Sequence, residues 1–151
     1  PPEYFAHMRF NSNFPPGIRG LAVLARCGAF ANLVQLGLTK CQLGDVGVAQ
    51  LVASVFAGDA LPRLQHLSLR DNGIGSNGWN ALDDAIGQGG CSLANLQTCD
   101  FSQNDISNAM LTTLKAALAT VPAMCFLFYS NARGQNVIVD TRDCRDERAV
   151  M

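Results

Sequence analysis

The sequence predicts an α/β fold made of strand–turn–helix units that recur and stack side by side. Three observations predict it. Apolar residues return at fixed offsets: Leu33, Leu36, Leu38, Cys41 and Leu43, then Leu64, Leu67, Leu69, Asn72 and Ile74, then Leu96, Cys99, Phe101, Asn104 and Ile106. Each set is followed by an apolar face at helical spacing: Val48/Leu51/Val55, Trp79/Leu82/Ile86 and Leu111/Leu114/Leu118. The units start at 33, 64 and 96, so the repeat is 31 or 32 residues long. One such unit cannot cover its own apolar face, and stacked neighbours supply the core.

The elements follow in order along a single domain, 1–151. Residues 5–32 form a degenerate first repeat or cap. Phe5, Met8, Phe10 and Asn13 hold the strand offsets, and Leu21 to Cys27 predicts a short helix that Gly28 ends. Regular repeats occupy 33–63, 64–95 and 96–123. Asp45, Ser76 and Asn108 stand two residues past the Leu43/Ile74/Ile106 column, where a side-chain oxygen serves as an N-cap. Gly58, Gly87, Gly89, Gly90, Pro62 and Pro122 punctuate the linkers. Residues 124–151 predict a terminal strand pair and a tail. Cys125 to Tyr129 and Val137 to Val139 are β-prone runs that close the sheet edge, and Thr141 to Met151 is a solvated, mixed-charge segment.

Composition bounds the rest. A chain of 151 residues, 48% hydrophobic and 15% charged, can bury a sizeable core. A net charge of −1 and a pI near 6.1 give no electrostatic case for nucleic acid or an anionic membrane surface. No run of 18 apolar residues predicts a membrane span. The chain begins Pro1-Pro2-Glu3 without an initiator Met, so the expectation is a fragment or a chain that has lost a targeting segment. Six cysteines show no Cys-x-x-Cys, and only His7 and His66 offer imidazoles, so no metal site is expected. Cysteines in core columns favour reduced thiols in an intracellular, reducing compartment. Nothing in the sequence argues for a homo-oligomer.

The pattern Leu-x-x-Leu-x-Leu-x-x-Asn/Cys-x-Leu, followed by Gly-Val-x-x-Leu at Gly47 to Leu51, resembles leucine-rich repeats of the ribonuclease-inhibitor-like subclass. The resemblance covers residues 30–129 strongly and 5–28 weakly. It implies a right-handed solenoid: a short arc of four to five repeats, with a parallel sheet on the concave face and helices on the convex side. It also implies that Asn72 and Asn104, with Cys41 in their column, form a ladder bonding backbone groups inside the turns. Departures are Cys99 and Phe101 in Leu columns, Met110 for the helix Gly, and Ala132 for Asn, which makes the last unit a cap.

Several motifs match functional signatures, and each also has a plain structural role. Gly73-Ile74-Gly75-Ser76-Asn77-Gly78 is a literal dinucleotide fingerprint, with Asp100 near the acidic position. The repeat register already explains those glycines as turn residues, so no cofactor is expected. Trp79 shares a column with Val48 and Leu111 and is expected to pack between helices. Cys41 has no His in its own repeat and is expected in the ladder rather than as a nucleophile. Asp83 and Asp84 are expected on an exposed helix face. His7 and His66 form at most a pair with nothing else behind it.

What remains is the outward set of strand residues: Gln35, Thr39, Lys40, His66, Ser68, Arg70, Asp71, Thr98, Asp100, Ser102, Phe126 and Phe128, with Gly37, Gln103, His7 and Arg9 beside them. Small polar side chains with few charges suit protein contacts and not catalysis. The expected function is a non-enzymatic protein–protein interaction module. The alternative is a structural subunit held permanently in a large assembly. Phe126 and Phe128 should be covered by the 137–139 strand or by a partner.

Overall fold

A computed structural model describes residues 6–11, 17–87, 93–130 and 133–140. It is a mixed α/β structure with one six-stranded sheet. In chain order the elements are β1 (His7–Phe10), α1 (Ile18–Arg26), β2 (Gln35–Leu38), α2 (Gly44–Leu51), β3 (His66–Ser68), α3 (Ser76–Gly87), β4 (Thr98–Asp100), α4 (Asn108–Leu118), β5 (Phe126–Ser130) and β6 (Asn136–Asp140). Helix α2 runs directly into a π-helical turn, Val52–Phe56, which carries both Val55 and Phe56 into the core. The strands lie in sequence order; β1 to β5 are parallel and β6 pairs antiparallel with β5.

The apolar columns explain this order. Leu36, Leu67, Cys99 and Leu127 stand in register across β2 to β5, with Met8 at the same level on β1. They face the helices and are buried from β2 onward, together with Leu38, Leu69, Phe101 and Tyr129. The helices return the cover through Val48/Leu51/Val55, Trp79/Leu82/Ile86 and Leu111/Leu114/Leu118, every one of them buried. A further column was not expected. Phe30, Leu61, Leu93 and Val121 precede β2, β3, β4 and β5, are all buried, and accept backbone bonds from Leu33, Leu64, Leu96 and Met124.

The predicted helix caps need correction. Ser107, not Asn108, caps α4; its hydroxyl accepts from the Met110 N–H at 3.2 Å. Ser76 is the first helical residue of α3. Asp45 lies inside the first turn of α2, and its Oδ1 accepts from Gly75 N–H of the next unit at 2.7 Å. The helices begin about one residue earlier than the apolar columns suggest, because the columns mark the buried face and not the first free N–H. Helix α1 also starts at Ile18 rather than Leu21, while Gly28 ends it as expected with φ +71°.

Asp83 departs from its expected exposure. Its Oδ1 is closed off from solvent without a hydrogen-bond partner, whereas Asp84 is exposed. Burial, and then the Asp84 charge, push the Asp83 carboxyl above its ordinary range. A raised folded-state pKa costs nothing while the carboxyl is protonated in both states. Stability is lost as pH rises through the folded value. Asp83→Asn therefore raises the melting temperature at about pH 7 and leaves it nearly unchanged at about pH 3. Thermal melts at the two pH values check this.

Candidate functional site

The sheet register assembles the outward residues into rows. One row reads His7, Gln35, His66, Thr98, Phe126 and Asp140; the next reads Arg9, Gly37, Ser68, Asp100, Phe128 and Ile138. Along a strand these positions alternate with the buried columns, so both rows share the face opposite the helices. Between the rows lies a groove of about 500 Å³. Seven of the twelve expected contact residues line it: Gln35, Thr39, His66, Ser68, Thr98, Asp100 and Phe128. Arg9, Phe10 and Asn11 of the first unit complete one end.

The walls are bonded to each other across the strands. Nδ1 of His7 and Oε1 of Gln35 are 3.2 Å apart, and Arg9 Nη2 donates to the same oxygen at 3.2 Å. The Arg9 stem crosses β2 over Gly37, where an added Cβ would come within 3.3 Å of Arg9 Cγ. His66 Nδ1 and Thr98 Oγ1 are 2.7 Å apart, and Thr39 Oγ1 and Ser68 Oγ are 3.2 Å apart. His7 and His66 are not neighbours, since Gln35 stands between them in the row.

Five expected residues sit elsewhere. Ser102 is 2% exposed, so it is not an outward residue. Strand β4 ends at Asp100, and Asp100 Oδ1 accepts from both the Ser102 N–H and the Ser102 hydroxyl, which folds the serine under the carboxylate. Lys40 and Asp71, with Gln103 in the same column, have φ of 57°, 55° and 60°. That left-handed conformation swings them off the strand face, and Lys40 Nζ instead meets Asp71 Oδ2 at 3.6 Å. This exposed pair contributes little stability. Arg70 is half-buried outside the groove lining. Phe126 lies on the groove side of the sheet but beyond the lining.

Strand β6 does less for the two phenylalanines than expected. It pairs with the edge of β5 along its length and does not bury the two rings completely. Ile138 stands beside Phe128 on the same side and is 63% exposed. Phe126 and Phe128 are half-buried.

The alternative sites resolve into packing. Gly73 has φ +65°, a turn conformation that favours glycine. A Cβ on Gly78 would lie 2.7 Å from Ile74 Cγ2 and 3.2 Å from the Asp45 backbone, so close approach of two units requires this glycine. The Asp45 carboxylate already occupies the Gly75 N–H, the kind of donor an incoming phosphate would use. Trp79 is fully buried; its ring centroid is 5.2 Å from that of Phe101, and its Nε1 donates to the Asp105 carbonyl at 2.8 Å. Its contact is thus with the following strand-and-turn segment rather than with helices alone.

Burial raises the pKa of Cys41, the opposite of nucleophile activation. Cys99 is raised further, by burial first and the Asp100 charge second. Among the described residues no group of His, Cys, Asp and Glu is arranged to hold a metal ion, and no helix is long and apolar enough to cross a membrane. Phe5, Asn13, Gly89, Gly90, Ala132, the segment 141–151 and two of the six cysteines, Cys91 and Cys144, lie outside the described residues.

No family model matches the chain. A 95-residue segment, 63% of this chain, is 33% identical to Tonsoku-like protein of Bos taurus. The chain spans 7% of the length of that protein.

Proposed function

We propose that this chain is a leucine-rich-repeat solenoid of the ribonuclease-inhibitor-like subclass, acting as a non-enzymatic module that binds a protein partner on its concave face. The observation that carries the reading is the groove itself. Side chains from β1 to β5 converge on one face, in register, and present hydroxyls, amides, one imidazole, one guanidinium and one carboxylate beside two aromatic rings. Those groups bond to one another in pairs and suit recognition of an extended or convex surface. The fold reading is supported by the asparagine ladder. Asn72 Oδ1 accepts from Cys41 N–H at 2.9 Å, and Asn104 Oδ1 accepts from Asn72 N–H at 2.8 Å. The free, buried thiols of Cys41 and Cys99 fit a reducing intracellular compartment.

The second reading, a subunit permanently embedded in an assembly, draws on the ends of the sheet. Val23 and Leu24 on α1 and Ile138 on β6 are exposed apolar side chains at opposite ends. Affinity capture from native extract separates the two readings when three baits are compared. Ser68→Arg fills the groove, and Gln50→Arg alters an exposed residue of α2. The concave-face reading expects a partner retained by the unaltered chain and by Gln50→Arg but lost by Ser68→Arg. Retention by Ser68→Arg moves the interface to the ends or helices and sinks the reading.

A further inference from the structure

Resting on the concave-face reading, we propose that the Asp100 corner of the groove receives an arginine or lysine side chain from a polypeptide partner. Asp100 lines the groove, and Ser102 fixes its carboxylate through two bonds to Oδ1, at 3.1 Å from the backbone N–H and 2.6 Å from the hydroxyl. Both bonds use one oxygen, which leaves Oδ2 for an incoming donor. The next residue in the row is Phe128, with Phe126 two positions before it on the same strand and face. On β6 the residues opposite these rings are Ile138 and Asp140. The aromatic pair is therefore bracketed by two carboxylates, Asp100 on one side and Asp140 on the other.

The chemistry of that corner selects a cation. A guanidinium or ammonium gains a charge-assisted bond to the carboxylate and lies against the electron-rich ring face. Its methylene stem covers the half-buried phenylalanines. An acidic side chain meets repulsion from Asp100. A purely apolar segment would strip water from the Asp100 carboxylate without replacing it. The cation lining the groove is Arg9, at the far end and three strands away in the same row, roughly 14 Å at about 4.8 Å per strand. The groove is thus positive at β1 and negative at β4, which sets the direction in which a polypeptide lies across it.

Selection from a random-peptide phage library against the intact chain tests this. The variant Asp100→Asn removes the charge while its Oδ1 keeps the Ser102 bonds, and a melt confirms that it folds. Selected peptides are expected to carry Arg or Lys beside aliphatic residues. Binding of the best one should fall roughly tenfold on Asp100→Asn, and equally when its arginine is replaced by uncharged citrulline. The two losses together should not exceed either alone. Peptides blocked by Ser68→Arg yet free of Arg and Lys, and indifferent to Asp100→Asn, overturn the cation receptor and leave the concave-face reading standing. Peptides that survive Ser68→Arg, or a selection that yields none, overturn both.

Discussion

Asn72→Ala lowers the stability of the fold by about 3–5 kcal/mol, a loss near the upper end for a single substitution. For a chain of this size the melting temperature falls by roughly 10 °C. The side chain is 2% exposed and makes five bonds. Oδ1 accepts from the backbone N–H of Cys41 at 2.9 Å and of Leu43 at 3.4 Å. Nδ2 donates to the carbonyls of Leu38, Leu69 and Arg70. These groups lie where the chain leaves strand geometry and regular strand pairing ends. Truncation takes this partner from the Cys41 and Leu43 N–H groups and from the Leu38 carbonyl in a buried turn that joins two units, while the Leu69 carbonyl keeps Asn104 Nδ2 and the Arg70 carbonyl keeps the Lys40 N–H.

Two companion variants sharpen the result. Asn72→Asp keeps the acceptor and places a second oxygen against three carbonyls, so it should destabilise at least as much as alanine at neutral pH. Asn104→Ala removes an equivalent set, with acceptance from Asn72 and Ile74 and donation to Leu69, Phe101 and Ser102, from a less buried site. Its loss should be smaller. Denaturant melts of the three variants give the order. An Asn72→Asp chain as stable as the parent would show that Nδ2 contributes nothing, and the ladder account would fail.

The asparagines were legible because a polar residue in an otherwise apolar column has to answer to backbone groups. The strand columns were legible for the same kind of reason: Leu36, Leu67, Cys99 and Leu127 repeat at one offset, and register follows from burying them together. The groove was only half legible. Strand alternation placed Gln35, His66, Ser68, Thr98 and Asp100 correctly, since they lie within the strands. It failed two or three residues beyond a strand end, at Lys40, Ser102 and Asp71, where alternation no longer holds, although Thr39, one residue past β2, still lines the groove. Lys40 and Asp71 turn aside through positive φ, and Ser102 folds beneath Asp100. Neither event has a glycine to announce it. Asp45 shows the other limit. A carboxylate two residues past an apolar column fits an N-cap by local rules, but its acceptor bond goes to Gly75, thirty residues on. Local spacing carries no information about that neighbour. The Phe30, Leu61, Leu93 and Val121 column could have been found, because each stands three residues before a strand column.

Trp79→Ala should cost about 3–5 kcal/mol, the range for truncating a fully buried aromatic ring. Trp79 is 0% exposed and belongs to α3, while its ring partner Phe101 and its hydrogen-bond acceptor Asp105 belong to the following unit. Two contributions separate in a series. Trp79→Phe retains much of the ring contact and removes the indole N–H, leaving the Asp105 carbonyl without that donor, for a loss of about 1–2 kcal/mol. The remainder of the alanine loss is cavity. A double-mutant cycle with Phe101→Leu should return a coupling of about 0.5–1.5 kcal/mol for the tilted ring pair. Because Trp79 is the single tryptophan of the chain, its fluorescence reports the same interface directly. In the parent, emission should shift to the red only as the whole fold melts. A red shift well before the loss of helical signal would show that the fourth unit detaches first, and that the Trp79–Phe101 contact is weaker than its burial implies.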